Sequence, residues 1–309
     1  MAPLANAVSG EVGLLFSFHY MGSRDLGEYL DTLGVPVASF VDSGGFSAWS
    51  QGVSIDLDRY ASWLRRYARV IDHYANLDVI GSSRGTLLNQ IRLERLGLRP
   101  LPIVHYGSSQ EEIRRYHSRG YEYQCLGGMV PRLGSMSAAL RRGQEHDGLR
   151  WLKDSHEAAA ELGVKLHGFG VTSWGLVQAF PWRSVDSSSW ASGIRYGRLV
   201  VFDHRRGRWQ GVSLRDRSSI MPVASLIREY GGDPIELIRD LEHSRRWNTI
   251  CAVRSWVAAN RWLASKGDDV RIYIVTPGIA TESDTQLRNA VRVAAGVEHD
   301  NGIAKMETR

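Results

Sequence analysis

The sequence predicts an α/β fold, a TIM-type (β/α)8 barrel with a basic β-hairpin inserted after the seventh strand. Three observations predict it. Short β-rich runs alternate with amphipathic helical patterns. A chain of 309 residues suits one barrel with insertions. The first β-to-α junction, His19 to Asp25, has no GxGxxG, which weighs against a dinucleotide-binding sheet. With no internal repeat, low-complexity tract or Pro/Ser linker, residues 1–309 read as a single domain.

The expected strands are Leu14–Tyr20, Val37–Val41, Leu77–Ile80, Leu101–His105, Glu122–Leu126, Lys165–Phe169, Ser184–Asp186 and Arg271–Val275. Each is short and apolar, as strands buried on both faces must be. Between them, Leu57, Tyr60, Ala61, Leu64, Tyr67, Ala68 and Ile71 form one helical stripe. Ser109 with Glu112 forms a capping-box pattern for a helix stopped by Gly120, and Gly163 stops another over Arg150–Leu162. Ile250, Val253, Trp256, Val257 and Leu263 mark a long late helix. Gly197–Leu214 breaks the alternation and reads as two strands around a basic turn.

Hydrophobic residues at 43% and charged residues at 23% provide for a sizeable core. No apolar stretch is long enough to span a membrane, and the first residues, MAPLANAVSGEVG, lack the pattern of a signal peptide. Cys125 and Cys251 are the only cysteines, which excludes a disulfide framework or a cysteine-rich zinc site and suits a cytoplasmic location. The net charge of +5 is carried almost wholly by arginine, since lysine stands only at Lys153, Lys165, Lys266 and Lys305. Arginine forks bind phosphate bidentately, so nucleic acid is a natural partner, although a GC-rich genome gives the same bias. In the hairpin turn, Arg205, Arg206 and Arg208 beside Trp209 combine cations with an aromatic ring, as a nucleic-acid contact would; ordinary solvated charge is the alternative.

Barrel chemistry gathers at the C-terminal ends of the strands. Those ends here carry Asp42-Ser43-Gly44-Gly45-Phe46, Asp78, His105-Tyr106-Gly107, Gly127-Gly128-Met129, His167-Gly168-Phe169-Gly170 and Asp186-Ser187. Three acids and two imidazoles therefore converge on one face. Helix capping is the plain alternative for Asp78 and Asp186, and a weaker one for Asp42, which is followed by Ser-Gly-Gly.

Asp42-Ser43-Gly44-Gly45-Phe46 resembles the DSGGF signature of the queuine and archaeosine tRNA-guanine transglycosylases. Further pieces follow in that family's order, from about residue 14 to residue 215. Leu101–Gly107 is similar to its IVQG strand, Gly127-Gly128-Met129 to its GGL turn, Leu166–Val171 to its LMGVG strand, and Ser184–Trp190 to the strand of its nucleophilic aspartate.

The resemblance implies roles. Asp186 would attack C1′ of a nucleotide and displace guanine, and Asp42 would carry the proton for the leaving and incoming bases. Phe46 would stack on the base, with Ser43 beside it. Asp78 would accept from the amidine-like edge of guanine, the backbone of Gly128 and Met129 would contact its carbonyl, and Gly127 of the same turn would lie at the substrate. His105 and His167 line the same pocket, where the family has Gln and Met. The reaction needs no cofactor, only a free 7-deazaguanine base such as 7-cyano-7-deazaguanine. A carboxylate beneath C1′ suits a positively charged sugar, and the target base must be flipped out of its stack.

The chain departs from the tRNA enzymes in having no Cys-x-Cys-x-x-Cys zinc set and no appended RNA-binding domain, so no metal is expected. Trp182–Trp190, WRSVDSSSW, resembles the compact phage enzymes that place 7-deazaguanines in DNA, so DNA is the favoured polymer and, for a phage-encoded chain, the host cytoplasm the location. A zinc-less tRNA-guanine transglycosylase and a non-catalytic nucleic-acid-binding barrel subunit are the competing readings.

Overall fold

The computed structural model describes residues 12–189, 197–239, 241–276 and 282–295. Its strands are β1 (Val12–Ser17), β2 (Val37–Asp42), β3 (His73–Tyr74), β4 (Ile103–His105) and β5 (Tyr123–Gly127). They continue with β6 (Lys165–Gly168), β7 (Ser184–Ser187), β8 (Arg198–Asp203), β9 (Arg208–Ser213) and β10 (Arg271–Val275). Eight of them form one curled, all-parallel sheet in the order β3-β2-β1-β10-β7-β6-β5-β4. The sheet's two ends approach each other: Leu101 N–H donates to Tyr74 O at 2.8 Å, and Asn76 N–H to Leu101 O at 2.9 Å. This is an α/β architecture of the TIM-like kind. Among the described residues, no helix is long and apolar enough to cross a membrane.

Alternate residues of the strands enter different cores. Leu15, Ala38, Phe40, Ala75, Ile103, Cys125 and Tyr273 pack together on the concave face. Their neighbours Leu14, Phe16, Val41, Val104, Leu126, Ile272 and Ile274 join the larger core toward the helices. A period of two that is apolar on both faces is what buried parallel strands require. It also fixes the site: Asp42, His105 and Gly127 each lie two residues beyond an inward-facing Phe40, Ile103 or Cys125, so they share the concave face at the strands' C-terminal ends.

Two strand expectations need correction. The third strand is His73–Tyr74, not Leu77–Ile80. The backbone of the latter segment bonds to helix side chains instead: Val79 N–H donates to Thr86 Oγ1 at 2.9 Å, and Asn89 Nδ2 donates to Leu77 O at 3.0 Å. The first strand stops at Ser17, because His19 N–H turns to Ser43 O at 3.2 Å and a short helix, Phe18–Met21, begins.

The helices follow the expected stripes with shifted ends. The first runs over Leu57–Arg66 and is capped by Asp56, which accepts from the N–H groups of Asp58 and Arg59. The helix expected behind a Ser109 cap runs over Glu111–Ser118 with Gln110 as its cap residue, and Ser109 Oγ accepts from Glu111 N–H at 3.3 Å. Gly163, at φ 68, ends Asp147–Leu162. The long helix spans Leu241–Ser265.

β8 and β9 pair antiparallel from Arg198↔Ser213 to Asp203↔Arg208, so the segment after β7 is a two-stranded ribbon around a basic turn, as expected. One side of it packs with Ile220, Val223, Leu226, Ile227, Leu237 and Cys251 in a small separate core. Its tip is tied down, with Trp174 Nε1 donating to Gly207 O at 2.8 Å and Trp209 lying 4.3 Å from Trp256 between ring centres.

Candidate active site

The segment after β2 builds the first wall. Gly44 adopts φ 77, and a Cβ there would come within 2.3 Å of Ser17 Oγ and 2.5 Å of His19 Cβ. At Gly45 a Cβ would meet Asp78 O at 2.8 Å. Both glycines are therefore dictated by close approach, and at Gly44 also by backbone conformation. Asp42 Oδ1 accepts a short hydrogen bond from Gly44 N–H. A helix, Gly45–Ser50, does follow, but Gly44 is its cap residue and Asp42 closes the turn ahead of it. Ser43 is buried and spends its hydroxyl on Gly45 N–H at 3.3 Å, so it shapes the turn.

Burial raises the proton affinity of Asp42, and the charges of Asp186 and Asp78 add to it, giving a pKa of about 7 despite the Gly44 hydrogen bond. Burial likewise holds the Cys125 thiol well above its ordinary range, and Asp42, Asp186 and Asp78 all contribute. The three acids therefore sit within electrostatic reach of one another above the inner core.

Asp78 is held by a polar cluster. His105 Nε2 lies 2.8 Å from its Oδ1, and Thr86 Oγ1 donates to the same oxygen at 3.0 Å. Burial opposes a charge on His105, yet the hydrogen bond and charge of Asp78, with Glu112 farther off, outweigh it and raise its pKa. Asp78 does not cap Ser83–Arg95; Ser82 does, accepting from Gly85 N–H at 3.0 Å. Gly127 faces Asp78, since a Cβ at that glycine would lie 4.0 Å from Asp78 Oδ2.

Asp186 accepts from Gly170 N–H at 2.7 Å through Oδ1. His167 Nε2 lies 3.4 Å from that oxygen, in a contact too poorly aligned for a hydrogen bond, which leaves the buried nitrogen without a partner. The other ring nitrogen is engaged: His167 Nδ1 lies 2.6 Å from Ser184 Oγ, and Ser184 Oγ lies 2.5 Å from the Tyr123 hydroxyl, whose pKa burial pushes far above its ordinary range. These contacts orient the ring with Nε2 toward Asp186. Asp186 Oδ2 accepts no hydrogen bond among the described residues.

The turn after β5 offers backbone rather than side chains. Met129 is fully buried in the helix-facing core, and Gly127 O accepts from Tyr106 N–H at 2.9 Å. Among the described residues the N–H groups of Gly128 and Met129 have no partner. Phe46 is 47% exposed and Trp49 60%, with ring centres 6.0 Å apart, so this short helix presents an exposed aromatic pair.

The structure thus brings Asp42, Asp78, His105, Gly127, His167 and Asp186 to one mouth. Arg205 pairs with Glu229 at 3.1 Å and Arg206 with Asp203 at 3.8 Å, while Arg208 is exposed. Trp190, at the end of the Trp182–Trp190 stretch, lies outside the described residues.

Thr86, Ser184, Tyr123 and Trp49 were not among the expected site residues. Thr86 had a signal, because it shares a buried helical face with Gln90 and Leu93. No set of three His, Cys, Asp or Glu side chains that could hold a metal ion is found among the described residues. No family model, curated protein or solved structure matches this chain.

Proposed function

We propose that this protein is a base-exchange transglycosylase that replaces guanine in DNA with a 7-deazaguanine through a covalent aspartyl-nucleotide intermediate. The reading takes the curled sheet as a closed (β/α)8 barrel and the β8–β9 ribbon as an insertion after its seventh strand. One observation carries it: Asp42 and Asp186 share the mouth, the first with a pKa of about 7, the second with one oxygen engaged and the other accepting no hydrogen bond among the described residues.

In this mechanism Asp186 Oδ2 attacks C1′ as the C1′–N9 bond breaks, and the departing guanine takes a proton from Asp42. The incoming base loses its N9 proton to Asp42, attacks C1′ and expels Asp186, so protons and bonds balance over the cycle. A carboxyl with a pKa near the working pH is suited to both transfers. Asp78 would accept from the guanine edge in the manner of carboxylate–base pairs, and the free N–H groups of Gly128 and Met129 would donate to its carbonyl. Phe46, being exposed, is available to stack on the base.

The test is to incubate the purified protein with DNA, tRNA and candidate 7-deazaguanines, then to analyse the nucleosides by mass. A deazaguanine nucleoside in DNA is the expected product. Incorporation only into tRNA would move the proposal to the zinc-less tRNA enzyme. No exchange into either polymer would remove the proposal.

A further inference from the structure

Exposed aromatic and cationic side chains follow the rim of the mouth across four consecutive loops. The loops are physically joined. Gly45, beside exposed Phe46 and Trp49, abuts Asp78 O. Ser83, next to exposed Arg84, lies 3.4 Å from Ser108 between hydroxyl oxygens. Gly128 sits against Tyr106 N, and the exposed Arg132 guanidinium rests 4.7 Å over the Tyr106 ring. Val130, 48% exposed, packs against Gly170, whose N–H holds Asp186.

The rim's cations are not neutralised. Among the described residues Arg84 and Arg132 have no acidic partner, as Arg208 of the hairpin has none, whereas Arg205 and Arg206 each have one. An unneutralised guanidinium is free to meet phosphate, and an exposed aromatic face is free to stack with a base. Trp49 is 60% exposed and lies beside the exposed Phe46, so the two rings form an apolar patch that a stacking partner would cover.

The geometry points to the rim from Trp49 to Arg132 as the surface that grips nucleic acid, in the form of an unpaired single-stranded segment. One base flanking the flipped guanine would stack on Trp49, while Arg84 and Arg132 hold phosphates. The inference rests on the base-exchange reading for its choice of polymer, but it concerns binding and is tested without exchange.

The probe is a fluorescein-labelled DNA oligonucleotide that contains no guanine, offered single stranded or annealed to its complement, with binding read by anisotropy over a range of salt. The single strand should bind more tightly than the duplex. Trp49→Ala should weaken single-strand binding on the order of tenfold, and Trp49→Phe should retain most of it. Arg84→Ala with Arg132→Ala should lower the log–log salt slope by roughly 0.7 per lost phosphate contact. The same substitutions at Arg205 and Arg206 should change the slope little.

Circular dichroism and melting temperature confirm that each variant is folded; an unfolded Trp49→Ala passes the test to Trp49→Tyr, which keeps a stacking face, and to the arginine pair. Unchanged binding in folded rim variants, or a slope controlled by Arg205 and Arg206, would overturn the inference. Normal rim-dependent binding without any base exchange would remove the enzymatic reading alone. Exchange that persists while rim variants bind normally would remove the rim alone.

Discussion

His167 and Asp186 meet inside the mouth of the sheet, with Nε2 of the imidazole 3.4 Å from Oδ1 of the acid. The imidazole is fully buried, stacked on Phe40 at 4.6 Å between ring centres, and its Nδ1 is fixed by Ser184. Ser184 thus holds the ring with Nε2 toward the acid, and Asp186 Oδ2 accepts no hydrogen bond among the described residues. His167→Phe keeps the stacking but removes both nitrogens. Exchange turnover should fall on the order of 10–100-fold with little change in KM, because orientation rather than binding is lost. His167→Gln, whose amide restores a donor near Asp186, should recover part of the rate; equal turnover in all three proteins would exclude this positioning role.

Asp186→Asn preserves the shape and removes the nucleophile. Base exchange should drop by several orders of magnitude, while binding to nucleic acid persists, since the phosphate contacts lie elsewhere. The measurement is exchange of labelled guanine beside an anisotropy titration. Near-normal exchange in the variant would take Asp186 out of the mechanism.

Asp42 makes a pH prediction with a definite sign. Its pKa rises from 3.8 to about 7 on folding, chiefly because burial disfavours the charged form. The stability this group contributes is therefore full below its unfolded pKa and is lost as the pH rises toward its folded pKa. Asp42→Asn should melt with the wild type below about pH 4 and above it at pH 8, the gap growing between these limits to a few kcal/mol. Melting curves at intervals across that window check this. A gap that shrinks as the pH rises would show that the carboxyl is not disfavoured by burial.

Metal removal should leave the fold intact. The two cysteines, Cys125 and Cys251, are separately buried in different cores, and no metal-holding trio occurs among the described residues. Melting temperature should be the same with and without a chelator, and zinc content should be well below one per chain. Stoichiometric zinc with chelator-induced unfolding would contradict the prediction.

The flipping step predicts a preference among duplexes. A guanine in a mismatch or facing a gap should exchange faster than one in a matched pair, because extrusion then costs a few kcal/mol less. Initial rates on otherwise identical duplexes give the comparison. Equal rates would mean that extrusion does not limit exchange.

Much of this site is legible along the chain because parallel strands impose a period of two. Once Phe40, Ile103 and Cys125 are read as inward-facing, Asp42, His105 and Gly127 must follow on the same face two residues later. Arginine-rich charge, the presence of only two cysteines and the basic turn between β8 and β9 are likewise properties of the sequence itself. Contacts between distant segments are not. Whether Asp78 caps a helix or meets His105 depends on Thr86 turning inward from another element, and the third strand lies at His73–Tyr74, ahead of the segment whose Val79 N–H bonds to Thr86. The raised proton affinity of Asp42 exists only because folding removes water and sets Asp186 and Asp78 nearby. The partners of the hairpin arginines, Glu229 and Asp203, are chosen the same way. Spacing along the chain determines which face a side chain takes, whereas its charge state and its partners depend on desolvation and on groups far away in sequence, which only the tertiary structure brings into contact.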